Sequence, residues 1–241
     1  MEATFTERWT ALHPRQMRWL AAYPRSGTSY IRTLIGQCFS QQTASLYAET
    51  LLPWHMRQIM RAVSLPMFER DLEALRERQP VLTVKSHQWP MNRGCIPHLL
   101  IVRDPRCVLP SLQTFGAEMM KGNTDWSFQS CLHGDNEFGD WGTWHKLWIM
   151  AQDEQTVILR YCDIIHRPAD AIKALAMMLD SEPTQWTVPS FEELNARTPE
   201  IWRRGKTSTT LTTSECDQVW ERFRPIMEMF GYSRDVEKET V

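Results

Sequence analysis

The segment 17–39 joins an apolar run to a helical pattern through a short polar loop. "MRWLAA" (17–22) has the composition of a buried strand, and "TSYIRTLIGQCF" (28–39) has the apolar spacing of a helix. In such a strand–loop–helix unit, backbone N–H groups and the positive end of the helix face the loop. Residues 23–30 add hydroxyl groups, an arginine and a glycine to this arrangement. The segment therefore predicts an anion-binding loop inside an α/β fold.

The same alternation of short apolar runs and longer amphipathic stretches continues along the chain. It predicts a central parallel β-sheet flanked by helices. Pro225 is expected to interrupt or kink the last helix. Residues 123–140 are turn-rich and receive no assignment, and residues 198–214 are predicted to form a long loop. Further strands are predicted at 81–85, 98–103 and 156–161, and further helices at 67–79, 108–120, 141–152, 168–180 and 215–232.

The size of the chain favours a single α/β domain over residues 1–241. With 241 residues, 42% of them hydrophobic, the chain can bury one sizeable core but hardly two. Its formal net charge of −2 gives no reason to expect binding to nucleic acid or to an anionic membrane. An anion site must therefore come from local clustering of basic side chains.

Cysteine usage and hydropathy narrow the class of protein further. The six cysteines are scattered and include no C-x-x-C pair, which argues against a zinc site and against a disulfide framework. No apolar run approaches the roughly 18 residues that a membrane span needs. The N-terminal residues 1–16 are too polar for a signal peptide. We therefore predict a cytoplasmic protein without a cysteine-bound zinc ion.

The loop at 23–30 differs from an ATP-binding loop. The ATP-binding pattern is G-x-x-x-x-G-K-S/T, and this loop has neither the spaced first glycine nor the lysine. It carries Arg25 instead, a group that stays charged at any physiological pH. On the loop alone, an ordinary strand-to-helix turn capped by a hydroxyl residue remains an alternative.

The loop sequence "YPRSGTSY" resembles the 5′-phosphosulfate-binding loop of the sulfotransferases that use 3′-phosphoadenosine 5′-phosphosulfate (PAPS). The cytosolic branch has Y-P-K-S-G-T-T-W, so Arg25 replaces a lysine and Tyr30 replaces the adenine-stacking tryptophan. An arginine at this position is familiar in the tyrosylprotein branch and in bacterial members. The resemblance implies that the donor is bound by Arg25, Ser26, Gly27, Thr28, Ser29 and Tyr30.

A second segment, "VKSHQWP" (84–90), resembles the family pattern K-S/T-H-x-x-P. The resemblance implies that Lys85 contacts the phosphosulfate and that His87 is the catalytic base. A lone histidine after a strand is more often a capping or core residue. The order and spacing of the segments, taken together, favour the catalytic interpretation.

A third segment, "IVRDPRCVLPS" (101–111), resembles the family's 3′-phosphate-binding segment. By that resemblance Arg103 and Ser111 bind the 3′-phosphate. Cys107 stands where the family usually has an aspartate. Taken by itself, R-D-P is a common turn with a solvated arginine.

Three later segments resemble the family's adenine-binding and late 3′-phosphate segments. "VILRYCDI" (157–164) implies Tyr161 at the adenine, and "PSFEEL" (189–194) implies Phe191 beside it, where a core aromatic is the alternative. "WRRGKTSTTLT" (202–212) resembles the R-K-G segment that closes on the 3′-phosphate, with a solvated basic loop as the alternative. The residues that match in this last segment are Arg203, Arg204 and Gly205.

The resemblance covers about residues 18–232 and implies the P-loop-kinase-like sulfotransferase fold. It also implies transfer of a sulfuryl group from PAPS to a hydroxyl or amine, with 3′-phosphoadenosine 5′-phosphate (PAP) as product and no metal. Arg25 and Lys85 would stabilise the leaving oxygen, and His87 would accept the proton of the acceptor. Two alternatives stay open: a phosphoryl-transfer enzyme with the same strand–loop–helix, and a nucleotide-binding module without turnover.

Tryptophans and carboxylates suggest what the acceptor could be. Trp54, Trp89 and Trp126 fall in segments expected to border the acceptor, and three carboxylates lie near the last of them, at Asp135, Glu137 and Asp140. Aromatic faces beside carboxylates attract organic cations, which favours a small cationic acceptor. The alternative is core packing of the tryptophans and a solvated acidic loop. Spacing at i, i+3 and i+7 assigns a further set to the core, namely Trp141, Trp144 and Trp148. The oligomeric state is left open.

Overall fold

Five short parallel strands form the centre of the described part of the chain in the computed structural model. The structure describes residues 17–47, 53–63, 82–88, 98–119, 125–152, 154, 156–197 and 210–235. The strand order in the sheet is β2-β3-β1-β4-β5. The strands are β1 (Met17–Ala22), β2 (Thr43–Ser45), β3 (Leu82–Ser86), β4 (His98–Val102) and β5 (Val157–Arg160).

Helices connect these strands and cover both faces of the sheet. Among the described helices, none combines the length and the apolar character that crossing a bilayer requires. The helices in this part of the chain are α1 (Thr28–Cys38), α2 (Trp54–Ile59), α3 (Pro105–Met119), α4 (Phe128–His133), α5 (Trp141–Met150), α6 (Tyr161–His166), α7 (Pro168–Leu179), α8 (Phe191–Arg197) and α9 (Thr213–Met229).

The central strand β1 explains why the sheet is covered on both sides. Its side chains alternate between two core clusters, with Trp19 and Ala21 in one and Leu20 and Ala22 in the other. The first cluster is completed by α3, α5 and α9, and the second by α1 and α7. All four side chains are buried, as expected for a strand inside a parallel sheet. The predicted α/β fold with a parallel sheet flanked by helices is confirmed.

Several predicted boundaries agree with the structure, and two features of this part of the chain differ. Strand β1 and helix α1 lie where the apolar pattern predicted them. The unassigned stretch contains α4, which Ser127 caps by accepting from the backbone N–H of Ser130 at 3.2 Å. The strand predicted at 156–161 ends at Arg160, and Tyr161 already opens α6. The helix predicted at 67–79 lies outside the described residues.

The last helix, α9, is one continuous helix through Pro225, so of the predicted interruption or kink the interruption is wrong. A capping box secures its first turn, because Thr212 and Glu215 bond each other's backbone N–H groups. One face is buried along its length through Val219, Phe223 and Met227. This packing outweighs the single hydrogen bond that a proline removes.

The tryptophans of α5 are core residues, as their spacing predicted. Trp141, Trp144 and Trp148 are fully buried beneath the sheet. His145 lies among them, with its ring centroid 4.2 Å from that of Trp141 and its Nδ1 2.8 Å from the Trp141 carbonyl oxygen. Because burial disfavours the imidazolium, the pKa of His145 falls from 6.5 to about 4.

The buried imidazole predicts an acid-sensitive fold. Between pH 6.5 and about 4, His145 takes up a proton when unfolded but not when folded. The free energy of unfolding should therefore fall by about 2 kcal/mol from this residue alone between pH 7.5 and 5. Urea unfolding at the two pH values measures the effect. His145→Gln should lose that part of the dependence, whereas substitution of the exposed His133 by Gln should keep it. An unchanged pH dependence in His145→Gln contradicts the prediction.

Candidate active site

The carboxyl ends of four strands carry the polar residues that the sequence singled out. The loop at 23–27 follows β1, His87 follows β3, Arg103 follows β4 and Tyr161 follows β5. Since all strands are parallel, these ends lie at one edge of the sheet. Strand β1 lies between β3 and β4, so the loop has His87 on one side and Arg103 on the other. In open α/β sheets ligands bind at this edge, where the strand order reverses.

The loop after β1 has the backbone of an anion-binding turn. Gly27, with φ 93°, precedes α1, and its carbonyl accepts the N–H of Tyr30 at 3.1 Å. Arg25 also has a left-handed backbone, with φ 67°, which is uncommon outside glycine and tends to occur at functional sites. The Ser26 hydroxyl is buried and has no hydrogen-bond partner among the described residues. A buried hydroxyl beside a helix N-terminus fits a bound oxyanion.

Arg103 and Tyr161 cover this loop. A Cβ added to Gly27 would lie 2.4 Å from Cδ2 of Tyr161, so only a glycine lets the ring pack there. The guanidinium of Arg103 lies 4.3 Å from the centroid of the same ring, and its Nη1 donates to the carbonyl oxygen of Arg25 at 3.0 Å. Residues from three separate segments thus meet on one turn of backbone.

The side chain of Arg25 reaches from the loop to helix α3. Its Nε donates to Oγ of Ser111 at 3.0 Å, and its guanidinium lies 5.3 Å from the ring centroid of Phe115. The predicted 5′-phosphosulfate residue and one predicted 3′-phosphate residue are therefore in direct contact. Thr28 and Ser111 are both buried, while Ser29 is half-buried.

His87 is buried at the end of β3 with one ring nitrogen fixed. Its Nδ1 lies 2.7 Å from the carbonyl oxygen of Ala22. A carbonyl oxygen can only accept, so Nδ1 carries the hydrogen and Nε2 keeps its lone pair. Trp144 adds a further constraint by donating its Nε1–H to the His87 carbonyl oxygen at 2.8 Å. This tautomer presents a proton acceptor at Nε2.

Burial keeps His87 in its neutral form. Desolvation is the largest cause that lowers the pKa of His87 well below 6.5, and the charge of Lys85 lowers it further. The hydrogen bond to Ala22 acts in the opposite direction, and Arg25 adds a smaller lowering. At neutral pH the imidazole is therefore uncharged and able to accept a proton.

Two aromatic residues that sequence reasoning missed flank His87. The phenol oxygen of Tyr47 accepts the His87 backbone N–H at 3.1 Å, and the Phe138 ring lies edge-on to the imidazole at 6.2 Å. Tyr47 follows β2, a three-residue strand too short for a pattern to reveal. Phe138 lies in the turn-rich stretch that received no assignment. The sequence around Phe138 has no pattern that could have identified it as a neighbour of His87.

Phe138 belongs to a loop whose two ends are fixed. A Cβ on Gly134 would lie 2.1 Å from the backbone nitrogen of Asp140, so the two ends of the loop touch. The hydroxyl of Tyr23 donates to the carbonyl oxygen of Gly139 at 2.7 Å. The Asp140 carboxylate caps α5 by accepting the N–H of Thr143 at 2.9 Å. Asp140 is thereby engaged in holding the helix.

The remaining predicted residues fall into three groups. Tyr30 is buried in the core cluster under α1, and burial, with a smaller effect of the neighbouring Tyr161, raises its pKa to about 12. Trp54 is 63% exposed at the start of α2, whereas the ring of Trp126 packs against Gly116 of α3. Phe191 opens α8, but its side chain is outside the described part. Trp89, Arg203, Arg204 and Gly205 lie outside the described residues.

Within the described ranges, no three or more histidine, cysteine, aspartate or glutamate side chains are grouped to hold a metal ion. Three cationic side chains lie at this edge. Arg25, Lys85 and Arg103 bring positive charge to the ends of β1, β3 and β4, although the whole chain has a net charge of −2. The arrangement can hold a multiply charged anion beside a neutral base.

Comparison with known proteins identifies the class to which this fold and site belong. The family model of the sulfotransferase domain matches residues 16–198. The chain therefore belongs to the sulfotransferase family. A sequence search of the curated proteins found no match.

Solved structures support the same fold at low sequence identity. A mouse sulfotransferase complexed with PAP superposes with a TM-score of 0.65 and 15% identity, covering 89% of this chain and 85% of its own. A sulfotransferase from Alicyclobacillus acidocaldarius gives a TM-score of 0.57 at 11% identity, covering 94% and 99%. Retinol dehydratase in a complex with retinol and PAP gives 0.56 at 15% identity, covering 90% and 82%. These likenesses establish the sulfotransferase fold.

Proposed function

We propose that this chain is a PAPS-dependent sulfotransferase that modifies a hydroxyl or amine of a small molecule, with His87 as the base. The observation that carries the proposal is the neutral, oriented imidazole of His87 beside a cationic loop. Two of the structurally similar proteins were solved with PAP, which supports a nucleotide of this type. PAPS would supply a sulfuryl group on a phosphate oxygen that can leave.

The residues of the loop after β1 fit the phosphosulfate. The N-terminus of α1 offers backbone N–H groups, and the buried Ser26 hydroxyl offers a donor to an oxyanion. Arg25 and Lys85 would stabilise the negative charge that develops on the leaving oxygen. Because a guanidinium does not release its proton, Arg25 would act through charge and hydrogen bonds.

The residues around Arg103 fit the nucleoside end of the donor. Arg103 and Ser111 would bind the 3′-phosphate, and Tyr161 with Phe191 would flank the adenine. Tyr30, Arg203, Arg204 and Gly205 keep the nucleotide-binding roles that the family resemblance implies for them. Arg103 already lies between the loop and Tyr161, which supports a nucleotide running along this edge.

His87 would take the proton of the acceptor as sulfur bonds to the acceptor oxygen or nitrogen. The sulfur–oxygen bond to the phosphate breaks in the same step, and the electron pair stays on the leaving oxygen. Ala22 holds Nδ1, so the proton would go to Nε2. In-line alignment of the three groups would contribute much of the remaining rate gain.

The first prediction from the proposed function concerns the role of His87 in turnover. His87→Ala should reduce sulfuryl transfer by a factor on the order of 10² or more, while PAP affinity measured by calorimetry stays nearly unchanged. Transfer of labelled sulfate from PAPS to a panel of alcohols, phenols and amines measures turnover. The wild-type kcat/KM measured at neutral pH should persist as the pH is lowered past 6.5, because the lowered pKa keeps His87 unprotonated there.

An exposed histidine supplies the control for this experiment. His133→Ala should transfer sulfate at the wild-type rate. Wild-type turnover in His87→Ala would remove His87 from the mechanism. Transfer of label from ATP in place of PAPS would instead favour the phosphoryl-transfer alternative, and binding without any transfer would favour the nucleotide-binding module.

The second prediction concerns selection of the 3′-phosphate. The wild type should bind PAP more tightly than adenosine 5′-phosphate, and Arg103→Ala should lose most of that preference. A charge-assisted hydrogen bond contributes about 1.5–3 kcal/mol, or about tenfold or more in affinity. Calorimetry with both nucleotides measures the ratio. Arg224→Ala, which removes an exposed ion pair with Glu228, should leave the ratio unchanged. Equal binding of both nucleotides by the wild type contradicts the assignment.

The acceptor would lie on the His87 side of the loop after β1. Glu137 is exposed there, and its charge is among the causes that raise the pKa of Tyr47. Asp140 is engaged as a helix cap and Asp135 is also exposed, but Glu137 is the one of the three whose charge acts on Tyr47, so Glu137 would face a cation between Tyr47 and Phe138. We therefore propose a small cationic alcohol or amine as the acceptor. Trp54, Trp89 and Trp126 remain candidate walls of the same site.

The third prediction tests this acceptor class. In a matched panel, alcohols that carry an ammonium or guanidinium group should be sulfated in preference to neutral phenols and sugars. Glu137→Gln should lower kcat/KM for the cationic acceptors about tenfold and leave the neutral ones unchanged. Glu182→Gln, at another exposed carboxylate, serves as the control. A wild-type preference for phenols or sugars would overturn the cationic acceptor and leave the sulfotransferase proposal standing.

A further inference from the structure

The edge strand β2 positions Tyr47 in the candidate active site. Strand β2 pairs in parallel with β3, with Ser45 opposite Lys85. The pairing extends one residue further, because the Leu46 N–H donates to the Lys85 carbonyl oxygen at 3.1 Å. The Tyr47 N–H then donates to Oγ of Ser45 at 3.1 Å, which turns the chain back. The phenol ring is thereby fixed beside the end of β3.

Tyr47 contacts His87 in two ways. Its phenol oxygen accepts the His87 backbone N–H at 3.1 Å. The two ring centroids lie 5.2 Å apart with an interplanar angle of 34°. Together with Ala22 at Nδ1 and Trp144 at the carbonyl oxygen, this contact leaves the imidazole little freedom.

The same ring also contacts Lys85. Nζ of Lys85 lies 5.5 Å from the centroid of the Tyr47 ring, within the range of a cation–π interaction. A flexible lysine that is attracted to one ring face spends less time in other rotamers. One side chain therefore contacts both the proposed base and a proposed stabiliser of the leaving oxygen.

We infer that Tyr47 is a positioning residue, whose ring fixes the His87 imidazole and holds the Lys85 ammonium beside it. The inference rests on the proposed function for its role in the reaction, but its geometric part can be measured without turnover. Tyr47 contacts the two side chains without itself needing to exchange a proton. Burial is the largest cause that raises its pKa to about 12, so the phenol stays neutral.

The charged and titratable groups that face His87 determine what loss of the ring would do. They are Lys85 on β3, Arg25 in the loop after β1, and Tyr47 itself, with Glu137 facing Tyr47 from the loop before α5. Removing the ring admits water to the imidazole and frees Lys85 to move away. Both changes favour the imidazolium, so the protonation midpoint of His87 should move upward.

The experiment compares Tyr47→Leu with Tyr47→Phe in the full chain. Tyr47→Leu removes the ring and the hydroxyl, and it should raise the His87 midpoint measured by imidazole NMR and lower kcat about tenfold. The acid limb of its kcat profile should move to higher pH with the NMR midpoint. Tyr47→Phe keeps the ring, so its His87 midpoint should equal that of the wild type and its kcat should stay close to the wild-type value. PAP affinity should stay near the wild-type value in Tyr47→Phe, which keeps the ring beside Lys85.

Tyr232→Leu is the matched control, because the Tyr232 hydroxyl also bonds to the backbone, donating to the Val102 carbonyl oxygen, and its ring also lies beside a cation, the Arg160 guanidinium. It should lose stability without moving the His87 midpoint. An unchanged midpoint in Tyr47→Leu overturns the inference, and so does a shift of equal size in Tyr232→Leu. If Tyr47→Leu shifts the His87 midpoint but the wild type shows no turnover of PAPS, the proposed function is overturned and the geometric part of the inference stands.

Discussion

The hydrogen bond from Nδ1 of His87 to the carbonyl oxygen of Ala22 joins the ends of two neighbouring strands. It exists because β1 and β3 run side by side in register, with Ala21 opposite Ser86. The bond sets the tautomer and the orientation of the imidazole ring, and it holds that ring against the start of the loop after β1. A change in strand register would move every one of these groups, since the register determines which residues emerge at the edge.

The electrostatics of the site follow from this packing. Positive side chains raise affinity for anions but also discourage protonation of a nearby histidine. Here both effects serve the same end, because burial and Lys85 lower the pKa of His87. A single arrangement therefore favours a multiply charged anion and keeps the neighbouring imidazole unprotonated. In a chain with a net charge of −2, this effect comes from the local placement of Arg25, Lys85 and Arg103.

The sequence predicted the parts of the molecule in which a local pattern determines the structure. Strand β1, helix α1 and the core tryptophans of α5 follow directly from apolar spacing. Tyr47 and Phe138 could not be predicted, because their positions depend on a three-residue edge strand and on an irregular loop. The carboxylate of Asp140 could serve a ligand or cap a helix, and only the observed bond to Thr143 distinguishes the two.

The loop from Gly134 to Asp140 has a consequence for how such an enzyme can acquire new substrates. Its two ends touch at Gly134 and Asp140, and a hydrogen bond from Tyr23 fixes it to the end of β1. Between these anchors, Phe138 packs against the core and beside His87, while Asp135 and Glu137 are exposed. Exchange of these two exposed residues therefore changes the surface near Tyr47 and His87 while both anchors and the packing of Phe138 are kept. Such positions, exposed on a loop that is fixed at both ends, are the natural targets for directed substitution.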